Sequence, residues 1–125
     1  RSNLTEMALI KENHVAVAGS IRLAVERVRA RSSVPVEVEV RTMEELKQAL
    51  EAKVERIMLD NWDTASMRDA VAFVAGRVPL EASGNMTVER VREVAATGVD
   101  LISVGALTHS ARALDMSLLH EGVDT

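Results

Sequence analysis

The sequence contains no cysteine and no tyrosine, and it has one tryptophan and one phenylalanine among its 125 residues. The absence of cysteine excludes disulfide bonds and thiolate metal sites, and it is typical of proteins from a reducing compartment. With so few aromatic rings, base stacking is not expected as a mode of nucleic-acid binding. The net charge of -4 gives no reason to expect a nucleic-acid or membrane partner.

Several functional motifs are also missing. No apolar run approaches the length that crosses a bilayer, and no secretory signal peptide is recognisable. No spacing of His and carboxylates resembles a zinc site, and there is no nucleophile elbow and no Walker loop. The 27% of charged residues is ordinary for a folded domain, so the sequence predicts one cytoplasmic unit with a single core.

Short apolar runs alternate with longer amphipathic segments along the chain. The pattern predicts five strands, at 7–10, 36–40, 56–59, 79–82 and 100–104, and four helices, at 18–29, from a Thr42 cap to about 52, at 64–75 and at 87–97. Gly98 is predicted to end the fourth helix, 107–111 to form a short helical turn, and 120–125 a tail. Strands alternating with helices indicate a parallel sheet with right-handed crossovers.

Alternate side chains of these strands form an apolar set and a polar set. The apolar set is Ile10, Val36, Val38, Val40, Ile57, Leu59, Leu80, Ile102 and Val104, and the polar set is Lys11, Glu37, Glu39, Met58, Asp60, Glu81, Ser83, Ser103 and Gly105. A doubly wound sheet, the alternative, carries helices on both faces and needs both sets apolar. A barrel has a polar mouth at the carboxyl ends of its strands, and five strands cannot close one of eight. We therefore predict an α/β fold, a parallel βα repeat forming part of an incomplete (β/α) barrel.

Two glycine-containing loops follow the last two predicted strands. Ser83-Gly84-Asn85 precedes a predicted helix, and the segment from Gly105 to His109 repeats the arrangement one βα unit later. Glycine permits close backbone approach, and free N–H groups at a helix start bind anions, so the pair suits a phosphate. The alternatives are structural: Glu37 and Glu39 on a solvated edge strand, Asp60-Asn61 as a turn and cap, and the loops as simple connections.

Taken together, the strand ends resemble the quinolinate phosphoribosyltransferase family. The stretches that carry the resemblance are Leu9 to His14, Val36 to Val40, Met58 to Asn61, Leu80 to Gly84, Thr97 to Asp100 and Val104 to Ser110. They follow one another in the family's order and with its spacing over almost the whole chain. The resemblance implies that residues 1–125 are the C-terminal portion of the family's barrel, without the N-terminal domain and the first barrel units.

The resemblance also implies a reaction and a set of roles. Quinolinate reacts with phosphoribosyl pyrophosphate and is decarboxylated, which gives nicotinate mononucleotide for NAD biosynthesis in a cytoplasmic homodimer or hexamer. The implied catalytic residues are Lys11, Glu39 and Asp60; Lys11 contacts the anionic substrates, while Glu39 and Asp60 hold the ribose hydroxyls directly or through Mg2+. Arg1 would bind a substrate carboxylate, and Ser83, Gly84 and Gly105, with Ala106 and His109 nearby, would bind the 5-phosphate. Asn85 stands where a glycine is common in the family.

The polar set carries more acid than base, with Lys11 as its one recognised cation. Closely packed carboxylates raise one another's pKa, so we expect Lys11 to pair with Glu37 or Glu81 and the chain alone to bind quinolinate poorly and to be inactive. Two other functions are considered. One is a molybdenum-transport-associated relative with the same barrel motifs, and the other is a non-catalytic half-barrel fragment or scaffold.

Overall fold

The structure, a computed structural model, describes residues 6–120. Strands and helices alternate along these residues, with two helices in succession after the first strand and two strands in succession near the end. The elements are β1 (Ala8–Ile10), α1 (Glu12–Ala18), α2 (Ile21–Arg31), β2 (Val36–Val40), α3 (Met43–Glu51), β3 (Arg56–Asp60), α4 (Thr64–Val74), β4 (Leu80–Ser83), α5 (Val88–Ala95), β5 (Leu101–Val104), β6 (Leu107–Ser110) and α6 (Ala111–His120).

The strands form a mixed sheet whose order follows the chain from β1 to β6. β1 pairs in parallel with β2, in a register that places Ile10 opposite Val38, and β4 pairs in parallel with β5. β5 and β6 are antiparallel. The topology is that of an incomplete (β/α) barrel, so the predicted fold class is confirmed, and the sheet ends in a hairpin that the prediction did not contain.

By its internal contacts the chain divides into two compact units, one up to Ile57 and one from Met58 on, where the sequence predicted one. In the first unit, Val36, Val38 and Val40 of β2 are fully buried. Burial of such side chains contributes roughly 2 kcal/mol each. The predicted cap is confirmed, because the Thr42 hydroxyl accepts a hydrogen bond from the Glu45 N–H at 3.1 Å and so starts α3.

The predicted helix at 18–29 had the wrong start. Ala18 belongs to the end of α1, and Gly19 follows with a φ of +109° that ends that helix. Ser20 then caps α2 by accepting a hydrogen bond from the Leu23 N–H. α1 itself was missed because its seven residues are too few to show a helical repeat.

In the second unit, β3 and β4 bury Leu59, Leu80 and Ala82. α5 ends earlier than predicted, at Ala95 with Ala96 as its C-cap, and the chain then turns through Gly98, which has a φ of +98° and lies close to the Val71 side chain. Of the predicted apolar set, every member except Val104 is buried. The division of strand side chains into two faces, made from the sequence alone, is therefore correct.

The helical turn predicted at 107–111 is wrong. Residues 107–110 form β6, and α6 begins at Ala111. Four residues are too few for periodicity to separate a strand from a turn, and the pairing with β5 decides the outcome. None of the helices within the described residues combines the length and the apolar character that a membrane span requires.

Candidate functional site

Two predicted site residues, Ser83 and Gly84, line a cavity of about 360 Å3 in the second unit. The cavity lies at the carboxyl ends of β3 and β4, where the polypeptide leaves the sheet. The other residues around it are Asn61, Trp62, Asp63, Asn85, Met86 and Arg90. Ser83 is half-buried, whereas Gly84 and Asn85 are exposed, so the loop backbone is accessible to a ligand. Ser83 is the last residue of β4, one residue beyond the predicted end of the strand, and Gly84 and Asn85 begin the predicted loop beside this cavity.

Gly84 and Asn61 are packed against each other in this cavity. Gly84 has a φ of +141°, and a Cβ on it would lie 2.5 Å from Asn61 Oδ1 and 3.5 Å from the Asn61 Cα. Asn61 also has a positive φ of 58°, which asparagine tolerates better than most residues. Its N–H donates to the Ser83 carbonyl at 2.9 Å. The loop after β4 is therefore held against the end of β3 by a contact that only glycine permits.

Two charged side chains lie at the edge of the cavity. Asp63 caps α4, and its carboxylate accepts a hydrogen bond from the Ser66 N–H at 2.7 Å. That bond, with the Ser66 hydroxyl and the charge of Arg90, holds the pKa of Asp63 below its usual value. Arg90 donates to the Trp62 carbonyl and lies 3.7 Å from Glu93. Arg90 is therefore a cation positioned beside the Ser83 to Asn85 loop.

Gly105 and Ala106 form the turn between β5 and β6, because Val104 is paired directly with Leu107. Gly105 has a φ of +62°, as the first position of a two-residue hairpin turn requires. The turn leads into a strand, not directly into a helix as the sequence predicted. Its two residues are exposed.

The two sides of β6 differ. Thr108 is paired with Ser103, and His109 with Ile102, so the side chains of Thr108 and His109 lie on opposite faces of the hairpin. His109 therefore shares the face of Ile102, a core residue, and is half-buried. Thr108, which the sequence reasoning did not single out, lies on the face of the polar set.

The remaining predicted residues lie in the first unit or at its boundary. Lys11 precedes α1 and is exposed, and its N–H donates to Nδ1 of His14 at 3.0 Å. Glu39 in β2 and Asp60 at the end of β3 are both half-buried. Arg1 lies outside the described residues. The grouping of Lys11, Glu39 and Asp60 around one substrate stays a prediction.

The cation found at Glu37 is Arg56. Arg56 Nε lies 3.0 Å from Glu37 Oε2, and its Nη2 lies 3.2 Å from Glu37 Oε1, so the guanidinium binds both carboxylate oxygens. The Glu37 side chain is 5% exposed. The sequence predicts Lys11 as the cation of the polar set and as the partner of Glu37 or Glu81. Arg56 stands two and four residues before Met58 and Asp60, shares their face, and is the cation bound to Glu37. The alternation itself could have identified it.

The described residues hold no group of three or more His, Asp or Glu side chains placed to bind a metal ion. Mg2+ does not need one, since it keeps several waters and binds through one or two carboxylates together with substrate phosphates. Glu39 near the end of β2 and Asp60 at the end of β3 are half-buried carboxylates, and carboxylate oxygens are ligands of the kind that Mg2+ takes.

Arg90 is a further residue that the sequence reasoning missed. It is the third residue of α5, where the helix dipole disfavours a positive charge. A cation in the first turn of a helix is therefore a signal that another partner holds it, and the Trp62 carbonyl and the neighbouring Asp63 are those partners here.

The sequence matches the family model described as quinolinate phosphoribosyl transferase, C-terminal domain, over residues 1–119. The chain belongs to this family. It is 44% identical to a protein of Oryza sativa subsp. japonica named nicotinate-nucleotide pyrophosphorylase [carboxylating], chloroplastic, in an alignment that covers 94% of this chain and 37% of the rice protein. A Mycobacterium leprae protein named nicotinate-nucleotide pyrophosphorylase [carboxylating] is also 44% identical, with 94% and 43% covered.

A solved structure supports the same family and the fold. The nicotinate-nucleotide pyrophosphorylase from Francisella tularensis superposes with a TM-score of 0.77 and 45% identity, over 83% of this chain and 38% of that one. The chain thus spans about two fifths of the length of the relatives it matches. The family resemblance seen at the strand ends is confirmed.

Proposed function

We propose that the full-length protein containing this chain is a quinolinate phosphoribosyltransferase of NAD biosynthesis. The observation that carries the proposal is the family match over residues 1–119, together with relatives at 44% identity that carry that enzyme's alternative name. In this reaction the pyridine nitrogen of quinolinate bonds to C1 of the ribose as pyrophosphate leaves. The carboxylate next to the nitrogen then departs as carbon dioxide, and a proton takes its place.

The chemistry explains why carboxylates stand at the strand ends. Departure of pyrophosphate leaves oxocarbenium-like positive charge on the sugar, which a fixed carboxylate stabilises. Glu39 and Asp60 take this role in our proposal and bind the ribose hydroxyls. They would also hold Mg2+, which when bound would neutralise the charge of the pyrophosphate. Lys11 contacts the anionic substrates, and Arg1 a carboxylate of quinolinate.

The 5-phosphate is assigned to the loop of Ser83 and Gly84 and to the turn of Gly105 and Ala106, with His109 nearby. In support, Gly84 and Gly105 are both exposed glycines at positive φ, where backbone N–H groups are open to an anion. Arg90 adds a positive charge beside the first loop. His109 has the weakest support, since it shares the face of Ile102.

The proposal is tested by measuring nicotinate mononucleotide formed from quinolinate and phosphoribosyl pyrophosphate by the full-length protein. Glu39→Gln and Asp60→Asn are expected to lower turnover at least about 100-fold while the fold is retained. The matched controls Glu44→Gln and Asp69→Asn make the same chemical changes at exposed helix positions and should leave turnover unchanged. A wild-type protein that forms no product, or Glu39 and Asp60 variants with near-normal turnover, would refute the assignment.

The chain alone is proposed to be inactive and to bind quinolinate poorly, because the remaining three fifths of the relatives' length is absent from it. Calorimetric titration with quinolinate tests this, and micromolar binding by the isolated chain would contradict it. We further propose a cytoplasmic homodimer or hexamer that uses neither nucleic acid nor membrane. Size-exclusion mass and subcellular fractionation of the full-length protein would test both points.

A further inference from the structure

The second unit contains a buried carboxylate that the proposed reaction does not use. Glu81 lies in the middle of β4 and is 1% exposed. Its Oε2 accepts hydrogen bonds from two hydroxyls, the Ser103 Oγ and the Thr108 Oγ1, the second at 3.1 Å. Burying a charged group costs free energy unless hydrogen-bond donors satisfy it, so these two hydrogen bonds stabilise Glu81 in its buried position.

The two donors stand on the two arms of one hairpin. Ser103 of β5 and Thr108 of β6 are directly paired, and the next pair, Val104 with Leu107, closes the turn of Gly105 and Ala106. A single carboxylate oxygen therefore holds both arms at the last pair but one before the turn. Glu81 reaches the hairpin from the neighbouring strand β4, so its hydrogen bonds tie the hairpin to that strand.

The turn is exposed among the residues that the structure describes. Gly105, Ala106 and Leu107 are exposed, Leu107 to 64%. A Cβ built on Gly105 would meet nothing within 4 Å. An exposed two-residue turn is positioned mainly by the strands that it joins, and here those strands are tied to Glu81.

We propose that Glu81 is a positioning residue that fixes the Gly105 to Ala106 turn for the phosphate of the phosphoribosyl substrate. The inference rests on the proposed function, which assigns the turn to the 5-phosphate. Backbone N–H groups bind a phosphate well only when they are held at a fixed place, because ordering a mobile turn at the moment of binding lowers the affinity. Glu81 acts through Ser103 and Thr108 and does not touch the substrate.

One substitution should change the KM for phosphoribosyl pyrophosphate in opposite directions under this role and under simple electrostatics. Glu81→Gln keeps the side chain's size and removes its charge. If Glu81 acts on the phosphate only as a nearby negative charge, its neutralisation strengthens phosphate binding and lowers the KM for phosphoribosyl pyrophosphate. If Glu81 anchors the hairpin, loss of the charge-assisted hydrogen bonds loosens the turn and raises that KM.

The experiment compares the full-length wild-type enzyme with Glu81→Gln, Thr108→Val and the double variant. Each single change is expected to raise the KM for phosphoribosyl pyrophosphate about threefold to tenfold, with the KM for quinolinate within about twofold of wild type. In the double variant the KM for phosphoribosyl pyrophosphate should rise by less than the product of the two single fold-changes, because both substitutions remove the same hydrogen bond. Ser110→Ala, which removes a hydroxyl from the same strand two pairs further from the turn, is the control and should change neither constant.

Three results would overturn the inference in an active wild-type enzyme: a lowered KM for phosphoribosyl pyrophosphate in Glu81→Gln, equal changes in both KM values, or a fall in Tm with both KM values unchanged. Thr108 is exposed, so Thr108→Val tests the proposal even if the Glu81 variant does not fold. A folded wild-type enzyme without transferase activity would instead refute the proposed function, and this role with it.

Discussion

Replacing Gly84 with alanine tests the contact that holds the Ser83 to Asn85 loop. The backbone at Gly84 has a φ of +141°, which L-residues rarely adopt, and that strain costs about 1–3 kcal/mol. The new Cβ would also lie 2.5 Å from Asn61 Oδ1, so the Asn61 side chain must leave its rotamer at about 1 kcal/mol. We expect the free energy of unfolding to fall by about 2–4 kcal/mol.

The measurement is urea unfolding followed by circular dichroism, with Gly76→Ala as the matched control. Gly76 has a φ of +79° and nothing within 4 Å of a built Cβ, so its replacement costs about 1–2 kcal/mol from the backbone alone. The double variant Asn61→Ala with Gly84→Ala should lose about 1 kcal/mol less unfolding free energy than the sum of the two single losses. The overlap between the new Cβ and Asn61 Oδ1 is then gone, while the backbone strain at position 84 remains. Equal losses for Gly84→Ala and Gly76→Ala would refute the reasoning.

Three further predictions concern stability. Glu37→Gln should destabilise the fold by about 3 kcal/mol in urea unfolding, and Arg56→Met added to it should restore part of the loss, because the first change removes the bidentate carboxylate partner of a largely buried guanidinium. Thr87→Ala should cost about 1 kcal/mol and Thr87→Ser little, since the side-chain oxygen caps α5; equal losses would contradict the capping role. The pKa of Asp63 is lower in the folded protein than its ordinary value of 3.8, so ionised Asp63 stabilises the fold at any pH above 3.8. This stabilisation is lost as the pH falls through the lower folded pKa, so Asp63→Asn should flatten the pH dependence of Tm in that acidic range.

The parts of the fold that followed from the sequence are those in which local pattern and burial agree. The strand predicted at 36–40 has the observed bounds, because strict alternation of valine and glutamate leaves one face for the core. The Thr42 cap was predicted for the same kind of reason, a local hydrogen bond that the residue type dictates. The two-faced character of the strands gave the fold class.

The parts that the sequence did not reveal depend on pairing between distant residues or on very short segments. β6 is defined by its pairing with β5, and α1 has seven residues between Lys11 and Gly19. The bond between Arg56 and Glu37 joins residues 19 positions apart, so the alternation can place Arg56 on the polar face but does not show which carboxylate it binds. The positive φ of Asn61 and its contact with Gly84 likewise become visible only in three dimensions.

The antiparallel return of β6 also limits where further strands can be added to this sheet. β6 takes the hydrogen-bonding edge of β5 that the next strand of a βα repeat would otherwise use. A further strand arriving in the direction of β5 would there meet a neighbour that runs the opposite way. Parallel extension therefore remains possible at β1, at the other end of the strand order. A parallel strand from another part of a longer protein would continue the repeat from that side.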